Sequence, residues 1–277
     1  MNHELVFELQ TNADLTPWPV GQDLLSQVFA EPKLRPQRIA TFGEVSARHG
    51  LDIAGIEDCR DHWANRATLR VNGSLSEFHQ DFHWKRRMVP RSQGSVSFST
   101  TNIYGEMLPA RIWFQSQFDK NIDWIGLFGS WCELTSPFAA LLHPLSLTDG
   151  PEVSSKDVTD YTYEEGVQQK AWSRYLGGEL YSEFRAGELN SLVSGLTNLG
   201  WASWFGPRFA MEVDELAIAG AGFPIHKIGD AYLVQLTDDI SDVANDLCLF
   251  SMRRAKLKSL FRDNLFLITD EPVLRNV

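Results

Sequence analysis

The sharpest arrangement of chemistry-bearing side chains is Cys59, His62, His79 and His83. It reads C-x2-H, sixteen residues, then H-x3-H, which resembles the spacing of a zinc-ligand framework. With Asp81 between the last two histidines, His62, His79 and His83 would suit a metal-dependent hydrolase. The elements that must position these groups argue against it. Residues 51–64 predict a helix, on which Cys59 and His62 share a face. Residues 78–86 predict a strand, where His79 and His83 share a face but stand about 13 Å apart, too far for one ion. No metal is therefore expected.

Other chemistry is scarcer still. No G-x-S-x-G elbow, phosphate-cradling glycine loop or dinucleotide fingerprint occurs. Cys132 sits inside an apolar stretch with no histidine near it in sequence, which predicts a buried, inert thiol. Asp81 and Lys85 have a spacing that arises by chance in most proteins. Ala219-Gly220-Ala221-Gly222 follows a predicted helix and reads as its end. The expectation is a binding protein, with no catalytic residues and no cofactor.

Charge is more informative. The 277 residues carry 25 basic and 36 acidic side chains, a formal net of −11. That balance disfavours direct nucleic-acid binding, which rests on Lys and Arg at phosphates. It suits a basic protein partner steered in by long-range attraction. Residues 151–277 hold 19 acids against 12 bases, whereas residues 1–150 hold 17 against 13. Two segments concentrate the excess. Asp157, Asp160, Glu164 and Glu165 surround Tyr161 and Tyr163, and Asp238, Asp239, Asp242 and Asp246 surround the start of the last predicted helix. Helix capping accounts for one or two of these acids, not four together. Aromatic anchors among steering charges are the composition of an interface, so these ten residues are the candidate partner-binding set. Two basic runs read as structural: Lys85-Arg86-Arg87 with Arg91 as a solvated strand end, and Arg253 to Lys258 as cations at a helix C-terminus.

Glu4–Gln10 alternates as a strand, a helix is expected over Asp23–Ala30, and Pro36–Gly43 reads as a second strand. Residues 65–118 read as an antiparallel meander with a hairpin at Asn72-Gly73. Ile122 to Leu145 is apolar enough to suggest a membrane span, but Asp123, Glu133 and Pro137 predict a buried or amphipathic helix instead. Past a turn-rich stretch at Thr148–Pro151 come helices near 164–176 and 188–199, a strand at Trp201–Phe205, a short helix after Pro207, and a strand pair over 225–236. A final helix follows over 241–261, and Leu265–Ile268 reads as a last strand. The fold class is α+β: an antiparallel sheet packed by helices, with two unequal lobes, 1–150 and 151–277, in one compact body. Three scattered cysteines and an N-terminus without a basic-then-apolar leader predict a cytoplasmic protein, monomeric when free.

Three stretches carry a resemblance: LRPQRIATFGE (Leu34–Glu44), GWASWFGPRFA (Gly200–Ala210) and FPIHKIGDAYLVQLTDD (Phe223–Asp239). They resemble immunity proteins of bacterial polymorphic-toxin and type VI secretion systems, in particular the family paired with restriction-endonuclease-like DNase toxins. The resemblance implies a cytoplasmic protein that binds a cognate nuclease toxin and blocks it. It brings no active-site or contact residue with it. A secretion adaptor that binds the toxin without suppressing it is the other reading.

Overall fold

The computed structural model describes residues 3–71, 74–101, 105, 107–146, 195–196 and 198–266. It is an α+β fold whose contacts gather the chain into two units, Leu9–Pro137 on the one hand and Met1–Glu8 with Phe138–Val277 on the other. Strand β1, His3–Thr11, is divided between them. The turn at 148–151, the helix expected near 164–176 and residues 188–194 of the helix expected near 188–199 lie outside the described residues; the end of the latter is not helical, and Leu196 instead forms a bridge with Phe266.

In the Leu9–Pro137 unit the strand order is β10-β7-β6-β2-β3, antiparallel throughout. Here β2 is Arg38–Thr41, β3 Leu51–Asp52, β6 Phe82–Arg86, β7 Ser92–Ser97 and β10 Ala110–Gln117. Burial alternates strictly along β6, β7 and β10, as a sheet with one covered face requires. Helix α1 (Trp18–Ala30) packs with α2 (Trp124–Thr135), and α2 lays Trp131 against Trp84 and Phe114 of that face. The Trp131 indole donates to Leu24 O of α1 at 3.1 Å, so the large ring is both packed and satisfied. Asp123 starts α2 by accepting from Gly126 N at 2.9 Å, and Ser136 ends it in the left-handed region before Pro137. At twelve residues α2 is too short to span a bilayer, and no helix among the described residues is long and apolar enough to do so.

Two hairpins belong to this unit: β4 (Arg66–Val71) with β5 (Ser74–His79), and β8 (Thr100–Thr101) with β9 (Met107–Leu108). The first has Val71 paired with Ser74, on either side of Asn72-Gly73, which lies outside the described residues. Two expectations fail here. Residues 51–64 are not an α-helix but β3 followed by a 3₁₀ helix, Ile56–His62. The Asp58 carboxylate takes both Ala54 N and Gly55 N, closing a tight turn in place of an α-helical start. Residues 78–86 are not one strand, because Gln80 N bonds Asn65 O and the chain leaves β5 before β6 begins.

In the other unit the order is β13-β14-β12-β11, again antiparallel, with β11 Ala139–Ser146, β12 Ala202–Phe205, β13 Ile225–Ile228 and β14 Ala231–Gln235. Every residue of β12 is buried, so its near-continuous apolar run reads as a central strand. Helix α3 (Pro207–Ala210) follows, then α4 (Glu215–Gly220), capped by Asp214 on Ala217 N. The expected final helix is two: α5 (Asp242–Asn245) and α6 (Leu247–Lys258). The break is Asp246, whose non-helical backbone (φ −145°, ψ 74°) lets its carboxylate cap α6 at Leu249 N, 2.9 Å. Arg253 ties α6 down through Leu236 O and Gly222 O, its guanidinium 4.7 Å from the Phe223 ring centre. Past α6, Phe261 packs between Phe205 and Phe266, and Phe266 pairs with Leu196 in a single parallel bridge.

Candidate functional site

Position 238 opens the acidic turn that joins β14 to α5. Thr237 Oγ1 accepts from the Trp201 indole and donates to Asp239 O, both at 2.9 Å, which fixes the start of the turn to the core. Trp201 N in turn donates to Nδ1 of the fully buried His143 at 3.2 Å. The Asp239 carboxylate accepts from Ser241 N at 2.8 Å, and Asp246 caps α6. Local structure therefore explains these two acids. Asp238 is exposed and Asp242 half-exposed at the first turn of α5, and neither carboxylate has a hydrogen bond among the described residues. Of the ten candidate partner-binding residues, Asp157, Asp160, Tyr161, Tyr163, Glu164 and Glu165 lie outside the described residues.

A second acidic segment escaped the sequence reading. Between α3 and α4 the chain runs Met211-Glu212-Val213-Asp214-Glu215-Leu216. Met211 is 85% and Leu216 87% exposed, the most solvent-accessible large apolar side chains in the described chain. Asp214 and Glu215 are exposed between them, Asp214 spending one oxygen on its cap. Glu212 is held by Arg262 at 2.8 Å. The pattern has no signal in sequence, since Met and Leu beside a helix ordinarily read as core.

The zinc-like spacing does not become a cluster. Cys59 is buried in the 3₁₀ helix, and burial with the neighbouring Asp58 and Glu57 carboxylates pushes its thiol up to about 12. His62 ends that helix. The His79 ring faces Ala64 O at 2.8 Å through Nδ1 and lies beside Phe98. His83 stands on β6, where burial lowers its pKa against the opposing pull of Asp81 and Glu44. Among the described residues no three His, Cys, Asp or Glu side chains are grouped to hold a metal ion. Cys132 is wholly buried in α2, its thiol raised well above the ordinary range by burial.

The basic run Lys85-Arg86-Arg87 is not a uniformly solvated strand end. Arg87 and Arg91 are exposed, but Arg86 is on the covered face and only 8% exposed. Period 2 puts residue 86 on the face of Phe82 and Trp84, and that alternation was the available signal.

The stretches that carry the family resemblance are mostly scaffold. Residues 201–206 are buried as β12 and its flanks, and Phe223–Asp239 supplies β13, β14 and the entry to the acidic turn. Among known proteins, no family model matches the chain and no curated protein matches it. Among solved structures, the chain is similar to the Pseudomonas aeruginosa T6SS protein PA0821, at 10% identity and a TM-score of 0.47. The similarity covers 84% of this chain, which spans 65% of the length of that protein.

Proposed function

We propose that the chain is an immunity protein, which binds a cognate secreted nuclease toxin in the cytoplasm and neutralises it without chemistry of its own. The observation that carries this reading is the exposed Met211 and Leu216 flanking Asp214 and Glu215. At 85% and 87% exposure, Met211 and Leu216 offer a partner two apolar side chains to bury, and the carboxylates between them favour a basic one. Asp238 and Asp242 add unbonded acids in the same unit, and the net charge of −11 supplies steering. A nuclease presents a basic surface to DNA, so it is the partner this chemistry fits. The resemblance of the three stretches to immunity proteins points the same way.

The test is co-expression with the product of the neighbouring gene, followed by co-purification and a DNase assay. The expected result is a stable complex with the nuclease silenced. A complex in which DNase activity persists would make the chain a secretion adaptor, and no association at all would end the proposal.

A further inference from the structure

Strand β6 buries a charge, that of Arg86, which no described residue balances. Arg86 donates from Nη1 to Arg35 O at 3.2 Å, while its Nε is sealed from solvent with no acceptor. No carboxylate of the described residues lies within ion-pair distance of it, and the cations beside it in sequence offer no compensation. Lys85 points to the opposite face and reaches Val45 O, and Arg87 and Arg91 are exposed.

Two further sealed donors share that face. Ser92 is the register partner of Arg86 across β6 and β7, is 4% exposed, and has a buried Oγ with no partner. Directly paired residues of an antiparallel ladder put their side chains on the same side, about 5 Å apart at Cβ. Trp84 lies two residues before Arg86 on the same face, and its indole Nε1 is likewise buried without an acceptor. Ser116, the register partner of Ser92 on β10, closes the row and turns its own hydroxyl to Gln117 O at 3.1 Å.

Three buried donors, one of them charged, therefore stand on one face of β6 and β7, each without a partner among the described residues. A water molecule would satisfy hydrogen bonds and leave the guanidinium charge uncompensated, which is the costlier deficit in a covered site. Size is restricted as well, since Trp84 already fills the space over Gly94 in the adjacent row. We infer that Arg86, Ser92 and Trp84 form a sealed site for one small monovalent anion of chloride size. The site is independent of the partner-binding reading.

The experiment is thermal unfolding at fixed ionic strength as sodium gluconate is replaced by sodium chloride. The unfolding midpoint should rise with chloride and level off, as for a ligand bound only by the folded state. Arg86→Met should abolish the chloride dependence. An equal midpoint in both salts, or the same rise in Arg86→Met, would overturn the site. Because removing a buried Arg can prevent folding, the unaltered protein is also crystallised from bromide. An anomalous peak within hydrogen-bond reach of Arg86 Nε and Ser92 Oγ is expected, and water alone at that position would overturn the inference.

Discussion

Trp84 lies against the bare α-carbon of Gly94, its register partner across β6 and β7. Indole atoms Cζ2 and Cε2 occupy the space a Cβ at residue 94 would need. The ring is held in place from other sides, stacked on Phe114 and edge-on to Trp131. Gly94→Ala should therefore destabilise the protein by about 1–3 kcal/mol, the usual cost of forcing a methyl into a packed core. The measurement is the urea midpoint at constant slope. A variant as stable as the parent would show that the indole is free to move aside.

The acids of the turn should separate by role. Asp246→Ala removes the cap of α6 and should cost about 1 kcal/mol of stability, because Leu249 N loses its acceptor. Asp238→Lys removes no hydrogen bond of the described residues and should leave unfolding unchanged, while slowing association with a basic partner. Denaturation midpoints and association rates in a salt series measure both. Equal effects of the two substitutions on stability would contradict the assignment of Asp246 as cap and Asp238 as free acid.

Leu216→Asp tests the anchor directly. The side chain is 87% exposed, so the fold should lose little, within about 0.5 kcal/mol. Binding to the toxin should weaken at least tenfold, with the loss in the dissociation rate, as expected for an apolar anchor. Unchanged affinity would remove this segment from the interface.

What sequence made legible follows from the range of the interactions. Asp123 was a local signal and α2 starts there, but the helix expected over 122–145 ends at Ser136 and its second half, Ala139–Ser146, is strand β11. Asn72-Gly73 named a turn, and β4 and β5 pair around it. The α-helix expected over 51–64 failed because one side chain, Asp58, diverts two backbone donors, a competition that hydrophobic period does not register. The run of strand through 78–86 failed at Gln80, whose bond to Asn65 joins residues distant in sequence. Arg86 was the instructive miss: its charge suggested solvent, while its place in the alternation of β6 dictated burial. The exposure of Met211 and Leu216 is tertiary information, set by what does not pack on them.

His83 gives a pH dependence whose sign is fixed by its burial. Desolvation lowers its folded pKa below the unfolded value of about 6.5, so the unfolded chain takes up the proton first. The contribution of His83 is fully present above that value and is lost as pH falls through about 6.5 toward the folded pKa. His83→Gln should flatten this part of the stability curve relative to the parent between about pH 7 and pH 5. A difference between the two proteins that stays constant over that range would mean His83 protonates equally well in both states.

Cys59 and Cys132 should be silent toward thiol reagents in the folded protein. The reactive species is the thiolate, and burial holds Cys59 at about 12 and Cys132 well above the ordinary range, so almost none is present at pH 8. In a Cys248→Ser background only these two remain of the three cysteines. No labelling is expected at pH 8 under native conditions, and two thiols per chain are expected after denaturation. Rapid native labelling of Cys59 would mean the 3₁₀ helix opens on the time scale of the assay. The same thiol heads the C-x2-H pattern, and zinc binds cysteine as the thiolate. Zinc that released a proton from Cys59 in the folded protein would require the thiol to leave its buried site, at a cost in fold stability. Added zinc should accordingly leave the unfolding midpoint unchanged or lower it.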